Sequence, residues 1–287
     1  MCRSVKILFL FFVLSSFNVW SQTTNGFGEF YDESFSKERR ALTREPLRET
    51  DVAWETFIWR IVDFREKFNQ FFYYPYEKEG IRGRKNLVYT IWDAVLNNEI
   101  PVFEDDEFKK PIDSEMLKKR YTVVDTIWLE IEDDEESYEY KAVVVPKEFS
   151  SEYIYQLKIK EVWYHETKTS TLAVQILGIA FVKEDIRFDS EGEADFRGTV
   201  TLFWVPFMSQ KVQNLLANSY VYRDYNLATL PTWEQIFYTR YFNSFIIRED
   251  NRHNTSIADY FVGEDAMKEA ERIEDALAEI EMSLWEY

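Results

Sequence analysis

The sequence predicts an α+β fold: N-terminal helices, a central and mainly antiparallel β-sheet, then C-terminal helices. Three observations carry that reading. Between Thr50 and Pro75 apolar residues recur at steps of three and four. Between Val123 and Pro206 the chain changes to runs of β-branched and aromatic residues joined by short polar links. After Gln210 the helical period returns. The length of 287 residues, with 46% hydrophobic and 18% aromatic content, is enough for a sizeable core.

Residues 1–21 read as a secretory signal peptide. Arg3 and Lys6 supply the positive region, and Ile7–Leu14 (ILFLFFVL) the apolar one. Val19-Trp20-Ser21 places the expected cleavage before Gln22. The rival reading is an uncleaved anchor, but the apolar run is too short to span a bilayer. Leu172–Val182, the other long apolar stretch, is also too short and is interrupted by Gln175. The expectation is an exported, non-lipidated protein without a membrane span.

Residues 22–50 read as an extended N-terminal arm. The segment is polar and aperiodic, yet it keeps Phe27, Phe30, Tyr31 and Phe35. A solvated tail rarely holds four aromatic residues, so Phe30 and Tyr31 are candidate partner contacts.

Residues 51–287 are the expected folded domain. Thr50 or Asp51 caps a helix that starts near Val52. Its apolar face is Trp54, Phe57, Ile58, Ile61, Phe64, Phe68, Phe71 and Phe72, widened by Trp59 and Val62. Arg60, Asp63, Glu66, Lys67 and Gln70 take the other side. Pro75 disfavours helical geometry at Tyr74, which ends the helix near Phe72. Trp59 and Arg60 lie off the main stripe. With the aromatic excess at Tyr73 and Tyr74, they are further candidate contacts, because interfaces favour such residues.

A second helix is expected over Asn86–Asn97 and a short one near Asp113–Lys119. Strands follow at Val123–Ile131, Tyr138–Val145, Ile154–His165, Leu172–Lys183 and Arg197–Pro206. Glu166–Ser170 (ETKTS) and Asp189–Asp195 (DSEGEAD) are connectors short enough to require antiparallel pairing. Helices return at Gln210–Leu216, Thr232–Phe245 and Glu264–Trp285. The last carries Ile273, Leu277, Ile280 and Leu284 on one stripe. Phe68-Asn69-Gln70-Phe71 is echoed by Phe242-Asn243-Ser244-Phe245, which reads as two helices with the same packing task rather than a duplication.

Charge and chemistry exclude several classes. The chain has 34 basic and 52 acidic residues, net −18. Without residues 1–21 it has 32 basic residues and a net charge of −20. Such a surface repels phosphate backbones and does not suit nucleic acid. The lone cysteine, Cys2, lies in the expected signal. The mature chain would therefore have no disulfide, thiol nucleophile or thiolate metal site. His165 and His253 sit in polar turns. No HExxH, GxSxG, Walker or GxGxxG pattern occurs. The acidic runs Glu130–Glu136 and Asp189–Asp195 do not match a calcium-binding loop and read as solvated connectors. No catalytic residue, cofactor or metal is expected.

Five segments in series resemble one family: FIWRIVDFREKFNQFFYYP (Phe57–Pro75), IKEVWYHETKTSTLAVQILGIAF (Ile159–Phe181), TLFWVPF (Thr201–Phe207), RYFNSFIIRED (Arg240–Asp250) and EAERIEDALAEIEMSLWEY (Glu269–Tyr287). Together they resemble the GldN, or PorN, family of gliding motility and type IX secretion. The resemblance implies a non-enzymatic periplasmic structural subunit. It also implies ring assembly with a GldK- or PorK-like outer-membrane lipoprotein, and contact with a GldM- or PorM-like motor component. Two rivals rest on composition: a secreted carbohydrate-binding or hydrolysing protein, from the aromatic and carboxylate abundance, and a calcium-dependent module, from the acidic runs.

Overall fold

The computed structural model describes residues 41, 47–121, 123–132, 138–147, 149–188, 194–223 and 231–285, all within the unit Arg39–Tyr287. Phe30 and Tyr31 lie outside the described residues, as does most of the arm. So do parts of both acidic connectors.

The first element corrects the sequence reading. Val52–Asp63 is not a helix but a strand, β1, followed by a 3-10 turn over Lys67–Phe72. All five residues from Ile58 to Val62 are buried. A strand buried on both faces loses its polar–apolar alternation, so its apolar positions fit a helical step as readily as an extended one. β-branched and aromatic content then favours the strand. The expected stop holds: the 3-10 turn ends at Phe72, and the Tyr74–Pro75 peptide is cis.

Helix α1 (Leu87–Leu96) follows, close to its expected span. Asn86 caps it, its Oδ1 accepting from the Tyr89 amide at 2.8 Å. Asn98, at φ 57°, ends it: the Asn98 and Glu99 amides donate back to Val95 and Ala94 carbonyls, a Schellman closure. Two short strands, β2 (Val102–Phe103) and β3 (Pro111–Ile112), bracket a loop, and α2 (Ser114–Tyr121) comes next. β4 (Val123–Glu132) and β5 (Tyr138–Lys147) pair, among the described residues, only with each other. β6 (Ile154–Glu166), β7 (Thr171–Phe188) and β8 (Ala194–Pro206) form the expected meander.

Helix α3 (Gln210–Asn218) also forms where expected. The Thr232–Phe245 expectation fails in its second half. Helix α4 covers only Trp233–Tyr238, and Phe245–Glu249 is strand β9. Arg240, at φ 52°, closes α4 in a second Schellman arrangement, with its amide and that of Tyr241 donating to Phe237 and Ile236 carbonyls. Helix α5 (Glu264–Trp285) has its expected span.

Seven strands form one antiparallel sheet in the order β3-β2-β8-β7-β6-β1-β9. Local turns order β6 to β8. β1 joins their outer side from far upstream, pairing Ile58 with Glu161 and Val62 with Leu157. One face of the sheet carries Val62, Leu157, Ile159, Ile179, Phe181 and Val205 against α1 to α4. Further along this face, Ile58 and Ile246 meet Ala270, Ile273 and Leu277 of α5. The opposite face buries Trp59, Ala180 and Trp204 beneath the loop between β2 and β3. There Phe108 lies so close that a Cβ on Gly178 would fall 2.5 Å from its ring.

Candidate interaction surface

The structure separates the four expected contact residues that it describes into two buried and two more accessible positions. Trp59 is 7% exposed and Arg60 5%. The helical reading puts Trp59 at the edge of the apolar face and Arg60 on the other side, but both are inside because β1 is covered on each face. Trp59 Nε1 donates to Asp106 at 2.9 Å, and the Arg248 guanidinium lies 3.4 Å over its ring. Lys160 Nζ donates to the Asp106 carbonyl at 2.8 Å and stands 3.5 Å from its carboxylate. One aspartate thus gathers an indole and two cations. Arg60 points the other way: it donates to Glu274 of α5 at 3.2 and 3.3 Å and approaches Glu161 at 3.4 Å. Glu161 is fully buried and also pairs with Arg240 at 2.7 Å. That contact has the distance of an ion pair without the angle of a hydrogen bond.

Tyr73 and Tyr74 end the segment Phe64–Pro75, whose aromatic residues divide by depth. Phe64 and Phe72 stack at 5.4 Å, and Phe72 reaches Trp233, Phe237 and Phe242 in the core. Phe71 lies between Trp233 and Tyr241, and Phe68 meets Tyr241 at 4.8 Å. Phe68 is 42% exposed, Tyr74 44% and Tyr241 38%. Tyr73 is half-buried and stacks on Tyr155. Burial, then the neighbouring Tyr155 and Glu152, raise its hydroxyl pKa.

Buried amides hold this ledge in place. Asn69, fully buried, donates from Nδ2 to the Asp63 and Asn243 carbonyls at 2.9 Å, and its Oδ1 accepts from the Asn243 amide at 2.9 Å. The two echoed FN pairs are therefore in contact with each other. Neither sits within a long helix. Asn86 likewise donates to the Tyr73 and Pro75 carbonyls at 3.1 and 2.8 Å while capping α1. At the upstream end, partial burial opposes ionisation of Asp63. Hydrogen bonds from Arg65 and Gln156 outweigh it and hold the carboxyl pKa below 3.8.

These elements wall a cleft of about 570 Å³, lined by Lys67, Phe68, Phe71, Tyr74, Arg223 and Tyr241 among others. The Arg223 guanidinium sits 4.7 Å from the Tyr241 ring centroid. None of the described residues lining the cleft is acidic. Sequence reasoning missed Asn69, Arg223 and Tyr241 as parts of one site. The repeated FN pair was the available signal for the first.

Among the described residues no group of three His, Cys, Asp or Glu is placed to hold a metal ion, and no helix is long and apolar enough to cross a membrane. Comparison with curated proteins finds no match. The family described as gliding motility associated protein GldN matches residues 47–286. That span takes in every strand and helix described above, from β1 to α5, and on it the chain belongs to the GldN family.

Proposed function

We propose that this chain is a non-enzymatic periplasmic structural subunit of the type IX secretion and gliding machinery. It acts by presenting surfaces. In this reading it assembles in a ring with a GldK- or PorK-like outer-membrane lipoprotein and touches a GldM- or PorM-like motor component. Residues 1–21 serve as the export signal. The observation that carries the reading is the family match across every described element. The preorganised aromatic cleft supports it, since a wall of Phe68, Phe71, Tyr74 and Tyr241 has the composition of a protein-binding hot spot. Many copies in a ring would make modest contacts avid.

The test is affinity capture of the tagged full chain from native envelopes. Co-recovery of a lipoprotein and a motor component is expected. Recovery as a lone monomer would overturn the reading.

A further inference from the structure

We infer that the cleft formed by Phe68, Phe71, Tyr74, Arg223 and Tyr241 binds an acidic peptide segment in which a carboxylate flanks an aromatic side chain. The inference rests on the proposed role in protein assembly and names the chemistry that this surface would recognise.

The charge pattern is the first argument. The chain carries 52 acidic residues, yet none of the described residues lining the cleft is acidic, while two of them, Lys67 and Arg223, are basic. No described carboxylate pairs with Arg223. Its guanidinium is held over Tyr241 instead. An arginine stacked on a ring keeps the edge of its planar fork available, the geometry that accepts a carboxylate through two parallel N–H donors. A cationic cleft on an acidic protein also restricts where an acidic segment can dock, because the surrounding surface repels it.

Shape is the second. The Phe68 and Tyr241 rings meet at 47°, with centroids 4.8 Å apart. That forms a wedge, whereas a sugar ring is best received by a flat exposed platform. Phe71 extends the wedge inward to Trp233, so an inserted aromatic side chain would join a continuous ring array. Rigidity is the third. The Asn69–Asn243 amide pair and the Asn86 bonds hold both ends of the ledge, so little ordering is needed on binding.

The probe is a short fluorescein-labelled peptide with Asp-Phe-Glu in a glycine–serine frame, titrated by polarisation against the full chain. Controls replace Asp-Phe-Glu with Asn-Phe-Gln or Asp-Ala-Glu. Saturable binding of the first peptide is expected, weakened roughly tenfold or more by either control, by Arg223→Gln and by Phe68→Ser. Tyr260→Ser, a change at an exposed aromatic residue outside the cleft lining, should leave binding unaltered. Thermal melts confirm that each variant is folded, and Arg223→Lys, which keeps the charge but not the planar fork, should fall between wild type and Gln. No saturable binding, equal binding of the neutral peptide, or displacement by a neutral oligosaccharide overturns the inference. Capture of envelope partners by a chain that ignores the peptide defeats this inference alone. Peptide binding by a chain recovered as a lone monomer defeats the assembly reading alone.

Discussion

The two faces of the seven-stranded sheet are buried by different means. One is mainly apolar: Val62, Leu157, Ile159, Phe181 and Val205 pack under four helices, and Glu161 with Arg60 and Arg240 is its buried charged exception. The other brings tryptophans together with cations, and Asp106 accepts from Trp59, Lys160 and Arg248. Apolar burial is non-directional and scales with area, so the helix face tolerates small shifts. Charged burial is directional, and an unmatched partner costs more than the pair contributes. The comparison also extends into Phe64–Pro75, where Phe64 and Phe72 serve the core while Phe68 and Tyr74 serve the cleft.

Substitutions can break or sharpen that contrast. The largest effect is expected from Phe64→Ala on the apolar side, a loss of about 3–5 kcal/mol in chemical denaturation. Glu161→Gln should cost about 3 kcal/mol, because Arg60 and Arg240 would keep their charges beside a neutral amide. Adding Arg60→Met to that variant should recover part of the loss. If it does not, the cost is not electrostatic.

Asp106→Ala should cost about 2 kcal/mol by leaving the Trp59 indole and the Arg248 guanidinium short of an acceptor. It should also loosen the loop around Phe108, readable as faster amide exchange there. The same change would be nearly neutral if Asp106 were only a solvated loop residue.

The faces should also differ in pH response. Burial, then the nearby Arg248, push the Lys158 pKa below 10.5. The folded state thus releases this proton before the unfolded state does. Stability should rise with pH between the folded pKa and 10.5, and the penalty is fully present at lower pH. Lys158→Met should flatten that rise in melts taken across the alkaline range. The smallest effect belongs to Phe68→Ser at the cleft, expected within about 0.5 kcal/mol of wild type in stability.

Legibility in the sequence followed the range of the interactions. α1, α3, α5 and the β6–β8 meander lie close to their expected spans, since caps, turns and periodic patterns act within a few residues. β1 was misread because burial on both faces erased the alternation that distinguishes a strand. The end of α4 was misread because Arg240 adopts a positive φ that its residue type does not signal. The same loss of alternation sets Trp59 and Arg60 off the main stripe of a helical reading, although the strand buries both.

Local chemistry therefore determined the α+β class, the antiparallel meander, the Asn86-capped helix and the stop at Pro75, because each depends on neighbours along the chain. The series of motifs was enough to indicate the family. Only the tertiary structure decided which strand β1 joins, that Asp106 meets Arg248 across 142 residues, and that Asn69 meets Asn243 across 174. Those contacts depend on how the whole sheet closes. No local period encodes them, and the cleft beside Arg223 exists only once they have formed.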